Sequence, residues 1–428
     1  MTALAWVSVA VFLVAYALIA SEKVHRVAAA LGGAGIMLLI HATGAEAAFF
    51  SEHSGIDWNV IFLLLGMMII VGVLKETGVF EYLAIWAAKR ARGRPFRLMV
   101  LLVLITALAS ALLDNVTTVL LIAPVTFLVC ERLAVSAVPF LIAEAMASNI
   151  GGAATLVGDP PNIIIASRGG LSFNDFLVHM APMVVVLMAV FVGLCWLMFG
   201  RTFRHDPERA AAVMALDENE AIGDRRLLWQ SLTVLGLVMA AFVLHPVLHY
   251  EPSIVALLGA GVLVAATKIT TEQAIAEVEW PTLVFFAGLF VMVGALVETG
   301  VIAQLSEAAV DATAGQLELA TMGLLGASAV LSAIVDNIPY VATMSPIVAE
   351  LVQAGDGPTQ VLWWALAFGA DLGGNATAVG AAANVVVLGI AARNGTPISF
   401  WQFTKYGLIT ATVTVALVAP YLWLRYLA

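Results

Sequence analysis

The chain has 428 residues, of which 62% are hydrophobic and only 11% are charged. A soluble domain carries about 25% charged residues, so the composition excludes an ordinary soluble protein and predicts an all-α protein embedded in a lipid bilayer. The formal net charge of −10 argues against nucleic acid as a partner. Two cysteines lie in separate apolar stretches, which predicts neither a disulfide framework nor a metal site.

Apolar segments of bilayer length predict ten membrane-spanning helices in chain order. They lie near residues 4–20, 27–42, 57–76, 139–167, 176–199, 229–249, 252–267, 279–298, 361–392 and 404–426. Lysine and arginine favour the cytoplasmic side of a membrane. The basic loop from Lys89 to Arg97 is therefore expected inside the cell, and both ends of the chain outside it.

Between Arg97 and Glu131 the only acidic or basic side chain is Asp114, near the middle of the stretch. An isolated carboxylate at the centre of a bilayer costs roughly 2.5–3.5 kcal/mol, which suggests a working site. As one helix the stretch would extend about 50 Å, too long for one upright span and too short for two full ones. We predict a re-entrant hairpin over 97–132, with Asp114 and Asn115 at its tip.

The next predicted span contains backbone that does not suit a continuous helix. The glycine pair Gly151-Gly152 is followed by Asp159 and then by two prolines, which disfavour helix before them. In hydrocarbon such backbone survives only where protein or a polar cavity satisfies it. Half-helix ends then offer amides and carbonyls to a solute or an ion, so the break predicts a binding site.

The second half of the chain repeats the first. At an offset of 222 residues, Asp114-Asn115 matches Asp336-Asn337, Gly151-Gly152 matches Gly373-Gly374, Thr155 matches Thr377, and Asn162 matches Asn384. The second hairpin, over 319–350, has no basic flank and is expected to enter from the opposite side. The predicted organisation is two inverted repeats, 1–199 and 229–428, joined by a charged cytoplasmic linker at 200–228.

The repeat is incomplete at its acidic positions. The unmatched pairs are Asp159 with Ala381, Asp371 with Asn149, Glu144 with Leu366, and Asn375 with Ala153. A purely structural requirement would more often keep both copies alike. The acids Asp159, Asp371 and Glu144 are therefore the candidates for coupling transport to protons or sodium.

The remaining candidates would contact the solute, and each also has a structural interpretation. Aspartates at the tips can cap helices, asparagines can satisfy broken backbone, and glycines can permit close approach. The candidate solute ligands are Asp114, Asn115, Thr117, Asn149, Gly151, Gly152, Thr155, Asn162, Asp336, Asn337, Gly373, Gly374, Asn375, Thr377 and Asn384. Neither a nucleotide-binding loop nor a His/Cys cluster is present, so the sequence predicts a secondary transporter without catalysis, metal or cofactor.

Several motifs resemble the arsenite efflux, NhaD and melanosomal P protein branch of the ion transporter superfamily. These are Leu113-Asp114-Asn115-Val116-Thr117-Thr118, the run 149–155, Gly158-Asp159-Pro160-Pro161-Asn162, the run 335–340 and the run 371–377. The resemblance implies a multi-pass elevator carrier of the cytoplasmic membrane, in which a transport domain holds the hairpins and broken spans. Carriers of this kind exchange arsenite for protons and can associate with a cytoplasmic ATPase, and their scaffolds usually dimerise.

The tips narrow the choice of solute. Dicarboxylate carriers of the superfamily use Ser-Asn-Thr at the tips, whereas this chain has Asp114 and Asp336, which would repel an anion. The first hypothesis is proton-coupled efflux of arsenite and antimonite as neutral hydroxides. The alternatives are a sodium/proton antiporter, an anion or dicarboxylate carrier, and a gated channel.

Overall fold

The computed structural model describes residues 2–428 apart from 22, 204–208, 210, 212–213, 215–216, 314 and 356. Within these residues the regular structure is helical, as predicted. Nine of the described helices are long and apolar enough to cross a membrane, and three shorter apolar helices accompany them. Each of the ten predicted spans coincides with a helix or with a pair of broken helices.

The first half contains helices α1 to α11. Their bounds are Ala3–Ser21, Arg26–Leu39, Ala45–Phe50, Trp58–Lys75, Val79–Arg90, Pro95–Leu112, Asn115–Leu133, Val138–Gly152, Pro160–Gly169, Phe173–His179 and Ala181–Phe199. A short 3₁₀ helix, Glu218–Ala221, lies in the predicted linker. The rest of that linker falls partly outside the described residues.

The second half contains helices α12 to α22. Their bounds are Arg225–Val243, His245–Leu248, Pro252–Ala266, Thr271–Ala276, Trp280–Glu298, Val301–Ala312, Leu317–Ile334, Asn337–Ala354, Val361–Gly373, Ala382–Arg393 and Phe400–Leu422. A 3₁₀ turn, Gly374–Ala376, follows α20, and a π turn, Trp423–Leu427, follows α22. Helices α16 to α21 repeat the order of α4 to α9, while the exact repeat boundaries stay a prediction.

The limbs of the predicted hairpins are longer than expected. Helix α6 ends at Leu112 and α7 begins at Asn115, so the turn uses almost no residues. The limbs have 18 and 19 residues, or about 27 Å each at 1.5 Å per residue. The expectation that this stretch is too short for two full helices is therefore wrong, because the limbs begin at Pro95 and end at Leu133.

The broken spans form the most buried part of the molecule. Every residue of α20 is buried, as is all of α8 from Phe140 onward. Helix α8 ends at Gly152, and α9 begins at Pro160, where a missing N–H costs nothing. The backbone between the two helices therefore stays irregular and is enclosed by protein.

Glycine lets each hairpin cross its broken span backbone to backbone. A Cβ on Gly151 would lie 2.5 Å from Ala107 Cα, and one on Gly373 would lie 2.6 Å from Ala329 Cα. Helix α6 therefore packs tightly on α8, and α18 packs on α20 in the same way. These crossings place both tips beside both breaks.

The helices form two packed groups. The hairpin group consists of α6–α9 and α18–α21, with α11 and α22 packed against it. The outer group consists of α1, α2, α4, α12, α14 and α16. Helices α5 and α17, which we call the arm helices, follow α4 and α16 along the chain and connect the two groups. This division resembles the predicted separation of a transport domain from a scaffold.

Candidate functional site

The two hairpin tips are closed by their own aspartates. Asp114 Oδ1 accepts a hydrogen bond from the Thr117 N–H at 2.8 Å, and its Oδ2 accepts one from Thr117 Oγ1 at 2.5 Å. Asp336 Oδ1 accepts from the Ile338 N–H at 3.0 Å. The residue equivalent to Thr117 there is Pro339, which has no N–H to donate. Both aspartates are therefore N-caps, and Thr117 uses its hydroxyl on the first cap.

The side chains that follow the caps meet at Asp159. Asn115 Nδ2 donates to Asp159 Oδ2 at 2.9 Å, and Asn337 Nδ2 donates to the same oxygen at 3.3 Å. Asp159 is fully buried at the start of α9, and its side chain does not cap that helix. One carboxyl thus ties both hairpin tips to the first broken span.

Asn149 connects the two halves of the chain. Its Oδ1 accepts from Asn115 Nδ2 at 3.1 Å, and its Nδ2 donates to Asn375 Oδ1 at 3.0 Å and to Asn384 Oδ1 at 3.1 Å. The two hairpin tips and the two breaks therefore converge at one point. We call the side chains at this point the polar network: Asn115, Asn149, Asp159, Asn162, Asn337, Asp371, Asn375 and Asn384.

Two threonines hold the breaks to the hairpins. Thr155 Oγ1 donates to the carbonyl of Ala111 at 2.5 Å, and Thr377 Oγ1 donates to that of Ala333 at 2.6 Å. The bonds are equivalent under the 222-residue offset, so the internal repeat extends to individual hydrogen bonds. Because each hydroxyl proton is used on backbone, only oxygen lone pairs remain for a solute.

Two asparagines satisfy the irregular backbone of the breaks. Asn162 Nδ2 donates to the carbonyls of Gly152 and Thr155, at 3.4 and 3.1 Å. Asn384 Nδ2 donates to the two equivalent carbonyls of its own half, at 2.9 Å each. These residues were expected to bind solute, and the structure gives their amide groups a structural task as well.

The remaining glycine candidates permit close backbone approach. A Cβ on Gly152 would lie 2.5 Å from the carbonyl oxygen of Gly158, and one on Gly374 would lie 2.9 Å from that of Gly380. Contacts under 3.0 Å require something to shift. The glycine pairs thus shape the breaks, as their structural interpretation predicts.

Five buried atoms of the polar network lack a hydrogen-bond partner within the described residues. They are Asn115 Oδ1, Asn162 Oδ1, Asn375 Nδ2 and both carboxyl oxygens of Asp371. Their side chains are at most 2% exposed, and a buried polar atom without a partner is costly. Four acceptors and one donor are therefore available at one place to a solute or an ion.

Glu144 lies outside the hydrogen bonds of the network. Its Oε1 accepts from Thr126 Oγ1 at 2.6 Å, while its Oε2 has no partner among the described residues. The thiol of Cys130 lies nearby. Sequence reasoning did not single out Thr126 or Cys130, although their spacing of four residues puts both on one face of α7.

A cavity of about 340 Å³ reaches the tip of the second hairpin. Asp336 and Val116 belong to its walls, together with Arg26 and Glu279 of the outer group. Arg26 Nη2 donates to Thr282 Oγ1 at 3.1 Å, and that hydroxyl donates to Glu279 Oε2 at 3.1 Å. Sequence reasoning missed Arg26 and Glu279 as functional candidates.

The opposite end of the repeat is bonded across the two helix groups. Asp57, the counterpart of Glu279, accepts from Ser167 Oγ at 2.6 Å. Arg168 Nη1 donates to the carbonyl of His53 at 2.7 Å. A second cavity of about 790 Å³ lies beside these bonds, but no side chain of the polar network lines it. The first cavity is not lined by the network either, but it reaches Asp336 at a hairpin tip, next to Asn337 of the network.

No basic side chain is hydrogen-bonded to Asp159 or Asp371 in the part of the chain that the structure describes. The salt bridges found there, Lys75–Glu277 and Lys89–Glu218, lie elsewhere. Among the same residues, no group of three or more His, Cys, Asp or Glu is placed to hold a metal ion. The network is thus acidic and rich in amides.

Comparison with known proteins gives a consistent picture. A family model described as CitMHS: Citrate transporter matches residues 16–369. The uncharacterized transporter Rv2685 of Mycobacterium tuberculosis is 61% identical over 424 residues, covering 98% of each chain. The P protein of Homo sapiens is 34% identical over 487 residues, covering 95% of this chain and 58% of that protein. The solved YdaH transporter of Alcanivorax borkumensis shares the fold, with a TM-score of 0.58, 16% identity, and coverage of 85% of this chain and 84% of that one.

Proposed function

Because the chain belongs to the citrate transporter (CitMHS) family, it is a membrane transporter, and we propose that it exports arsenite and antimonite as neutral hydroxides in exchange for protons. The carrier works by alternating access across the cytoplasmic membrane, without catalysis and without a cofactor. Association with a cytoplasmic arsenical pump ATPase and assembly into a homodimer belong to the same proposal.

The observation that carries this proposal is the mixture of free donors and acceptors at the polar network. A trivalent metalloid hydroxide both donates and accepts hydrogen bonds through its hydroxyl groups. Asn115 Oδ1 offers an unpartnered acceptor, and Asn375 Nδ2 offers an unpartnered donor, each from a buried side chain. A neutral solute that supplies both kinds of partner would remove the cost of leaving these atoms unpaired.

The same network disfavours a carboxylate solute, although the family is described as a citrate transporter. A carboxylate only accepts hydrogen bonds, and it would approach Asp159 and Asp371 where neither has a basic partner among the described residues. Like charges in a buried place are strongly unfavourable. The network therefore supports a neutral or cationic cargo over a dicarboxylate.

The access routes support alternating access over a channel. The cavity beside Arg26 reaches Asp336 from one end of the molecule. At the other end, the Asp57–Ser167 and Arg168–His53 bonds join the hairpin group to the outer group. A carrier that opens to one side at a time requires such a difference, whereas a channel requires one continuous path.

Coupling to protons is assigned to the unmatched acids. Asp159 contacts both tips, and Asp371 has no hydrogen-bond donor among the described residues. Glu144 is the third candidate, and its free Oε2 leaves it able to carry a proton away from the network. Movement of protons down their gradient would then drive export of the solute.

A sodium/proton antiporter is the second candidate function. The unpartnered oxygens of Asp371, Asn115 and Asn162 are hard ligands of the kind that alkali and alkaline-earth cations prefer. In that case sodium and protons would compete for the same carboxyls, and no metalloid would be needed.

Everted membrane vesicles with an imposed pH gradient test the proposal. A fluorescent pH probe reports proton movement while arsenite, antimonite, sodium or lithium is added in turn. We expect proton release with arsenite and antimonite. The Asn375→Ala variant, which has alanine as its counterpart Ala153 does, should lower this response about tenfold. The exposed Asn394→Ala variant serves as the control.

A response to sodium or lithium without one to the metalloids would replace the proposal by the antiporter. Equal responses of Asn375→Ala and the wild type would remove Asn375 from the solute site. Uptake that never saturates, together with single-channel conductance, would identify a channel.

A further inference from the structure

Asn162 and Asn384 are equivalent residues whose orientation is fixed by the backbone. Each directs its Nδ2 to two carbonyls of the preceding break. Turning either amide over would place its Oδ1 against those carbonyl oxygens, so each Oδ1 must point away from them. Asn384 Oδ1 accepts there a hydrogen bond from Asn149 Nδ2, at 3.1 Å.

The equivalent bond is missing in the other half. Position 371 carries aspartate where the matching position 149 carries asparagine. Asp371 lies beside Asn162, yet neither its carboxyl oxygens nor Asn162 Oδ1 has a donor among the described residues. Three acceptor atoms without a hydrogen bond, on two neighbouring side chains, therefore lie in a fully buried place. A proton on the carboxyl would turn it into the missing donor.

We propose that Asp371 binds the transported proton and donates it in a hydrogen bond to Asn162 Oδ1, while Asp159 stays ionised and serves the solute. The proposal rests on the proton exchange proposed above and divides its two central acids by role. An O–H bond forms on Asp371 with a proton taken from water on one side. The bond breaks when that proton returns to water on the other side.

The charges around Asp371 favour this division. Asp159 accepts amide groups from both tips, which suits a carboxylate. No basic side chain of the described residues is bonded to Asp159 or Asp371. A proton on Asp371 therefore keeps the network from holding a second, unsupported negative charge.

The Asp371→Asn variant provides the test, because asparagine is what the matching position 149 carries. Its Nδ2 can donate to Asn162 Oδ1 as Asn149 donates to Asn384, so the variant is expected to fold. Metalloid export driven by a proton gradient should fall about tenfold or more. Exchange of labelled for unlabelled solute, which needs no net proton movement, should fall far less.

Infrared difference spectroscopy across a pH step gives a second readout that needs no solute. The purified full chain in lipid, carrying Glu144→Gln in every sample to remove the band of that buried acid, should show the C=O band of a protonated carboxyl, and Asp371→Asn should lose that band. The Asp159→Asn variant should keep it. This measurement distinguishes the two proposals. If the band is present but the wild-type protein does not respond to metalloids, only the proposed cargo is refuted.

Three results would overturn the inference. The band could persist in Asp371→Asn, or it could disappear in Asp159→Asn instead. Gradient-driven export could also survive in Asp371→Asn. Export that follows a sodium gradient and not a proton gradient would assign the same oxygens to sodium.

Discussion

At the scale of single residues, the informative feature is an acid that has no counterpart in the other repeat. Asp159 stands where the second copy has Ala381, and it collects an amide hydrogen bond from each hairpin tip. A carboxylate can accept both bonds because all its lone pairs are acceptors. Asp159 therefore accepts both hydrogen bonds only when both hairpin tips lie beside it.

Replacing Asp159 with asparagine should weaken solute binding. The new amide keeps one acceptor oxygen but turns an N–H₂ group toward Asn115 or Asn337, both of which donate. Losing a hydrogen bond to a charged group costs about 1.5–3 kcal/mol, which corresponds to a KM for arsenite about tenfold higher or more. Uptake kinetics in vesicles measure this change. The exposed Glu307→Gln variant is the control, and an unaltered KM in Asp159→Asn would contradict the assignment.

At the scale of elements, the two arm helices differ although their sequences begin alike. Before α5, Gly78 has a φ of 77°, and a Cβ there would lie 1.8 Å from the carbonyl oxygen of Ala221. The Gly223 N–H donates to the Thr77 carbonyl at 3.2 Å. Gly300, before α17, has a similar φ of 73° but no neighbour within 4 Å. The linker therefore packs against the start of α5, whereas Gly300 at the start of α17 has no such contact.

The Lys89–Glu218 ion pair should control how firmly the linker holds α5. The hydrogen bond from Lys89 lowers the pKa of Glu218 below its ordinary value. A lowered pKa means that the pair is present at neutral pH and is lost as pH falls through that lowered value. We expect Glu218→Gln to speed hydrogen exchange at the Gly223 N–H, and acid or high salt to do the same to the wild type. The neighbouring Glu220→Gln variant should exchange like the wild type, and equal protection in Glu218→Gln would contradict a role for the pair.

At the scale of the whole molecule, the internal repeat is symmetric in its helices and asymmetric in its contacts. The Asp57–Ser167 bond joins the hairpin group to the outer group at one end. At the other end, Glu279 is instead bonded within its own helix and borders a cavity. In such a repeat, breaking the Asp57–Ser167 bond and forming an equivalent bond at Glu279 would open one end of the molecule and close the other.

Removing the Ser167 hydroxyl should shift the protein away from the conformation described. The Asp57–Ser167 bond involves a carboxylate, and its loss is worth about 1.5–3 kcal/mol, or about tenfold or more in population. A cysteine placed at Val385, which lines the cavity and is exposed, should then react more slowly with a membrane-impermeant maleimide. Ser136→Ala is the matched control. Faster or unchanged labelling in Ser167→Ala would rule out this bond as a determinant of the open end.

The sequence by itself determined the helical class, the repeat and the places where spans break. Apolar length predicts spans, and the constant 222-residue offset reveals duplication without any three-dimensional information. The sequence also identified Asp159 and Asp371 as candidates, because neither has an acidic residue at the matching position of the other repeat. The two-residue turn before Asn115 was not predictable, since the length of a run does not show how sharply it folds back.

Only the tertiary structure decided which polar atoms are already used. Asn149 bonds Asn375 and Asn384, residues more than 200 positions away along the chain. Such pairing depends on how two hairpins and two breaks pack around one point, which local sequence does not encode. The result separates residues that look alike in the sequence. The hydroxyls of Thr155 and Thr377 donate to backbone carbonyls, whereas Asn115, Asn375 and Asp371 each keep at least one polar atom without a hydrogen bond. The residue type sets how many hydrogen bonds a side chain can make, but the packing around it decides which of them form.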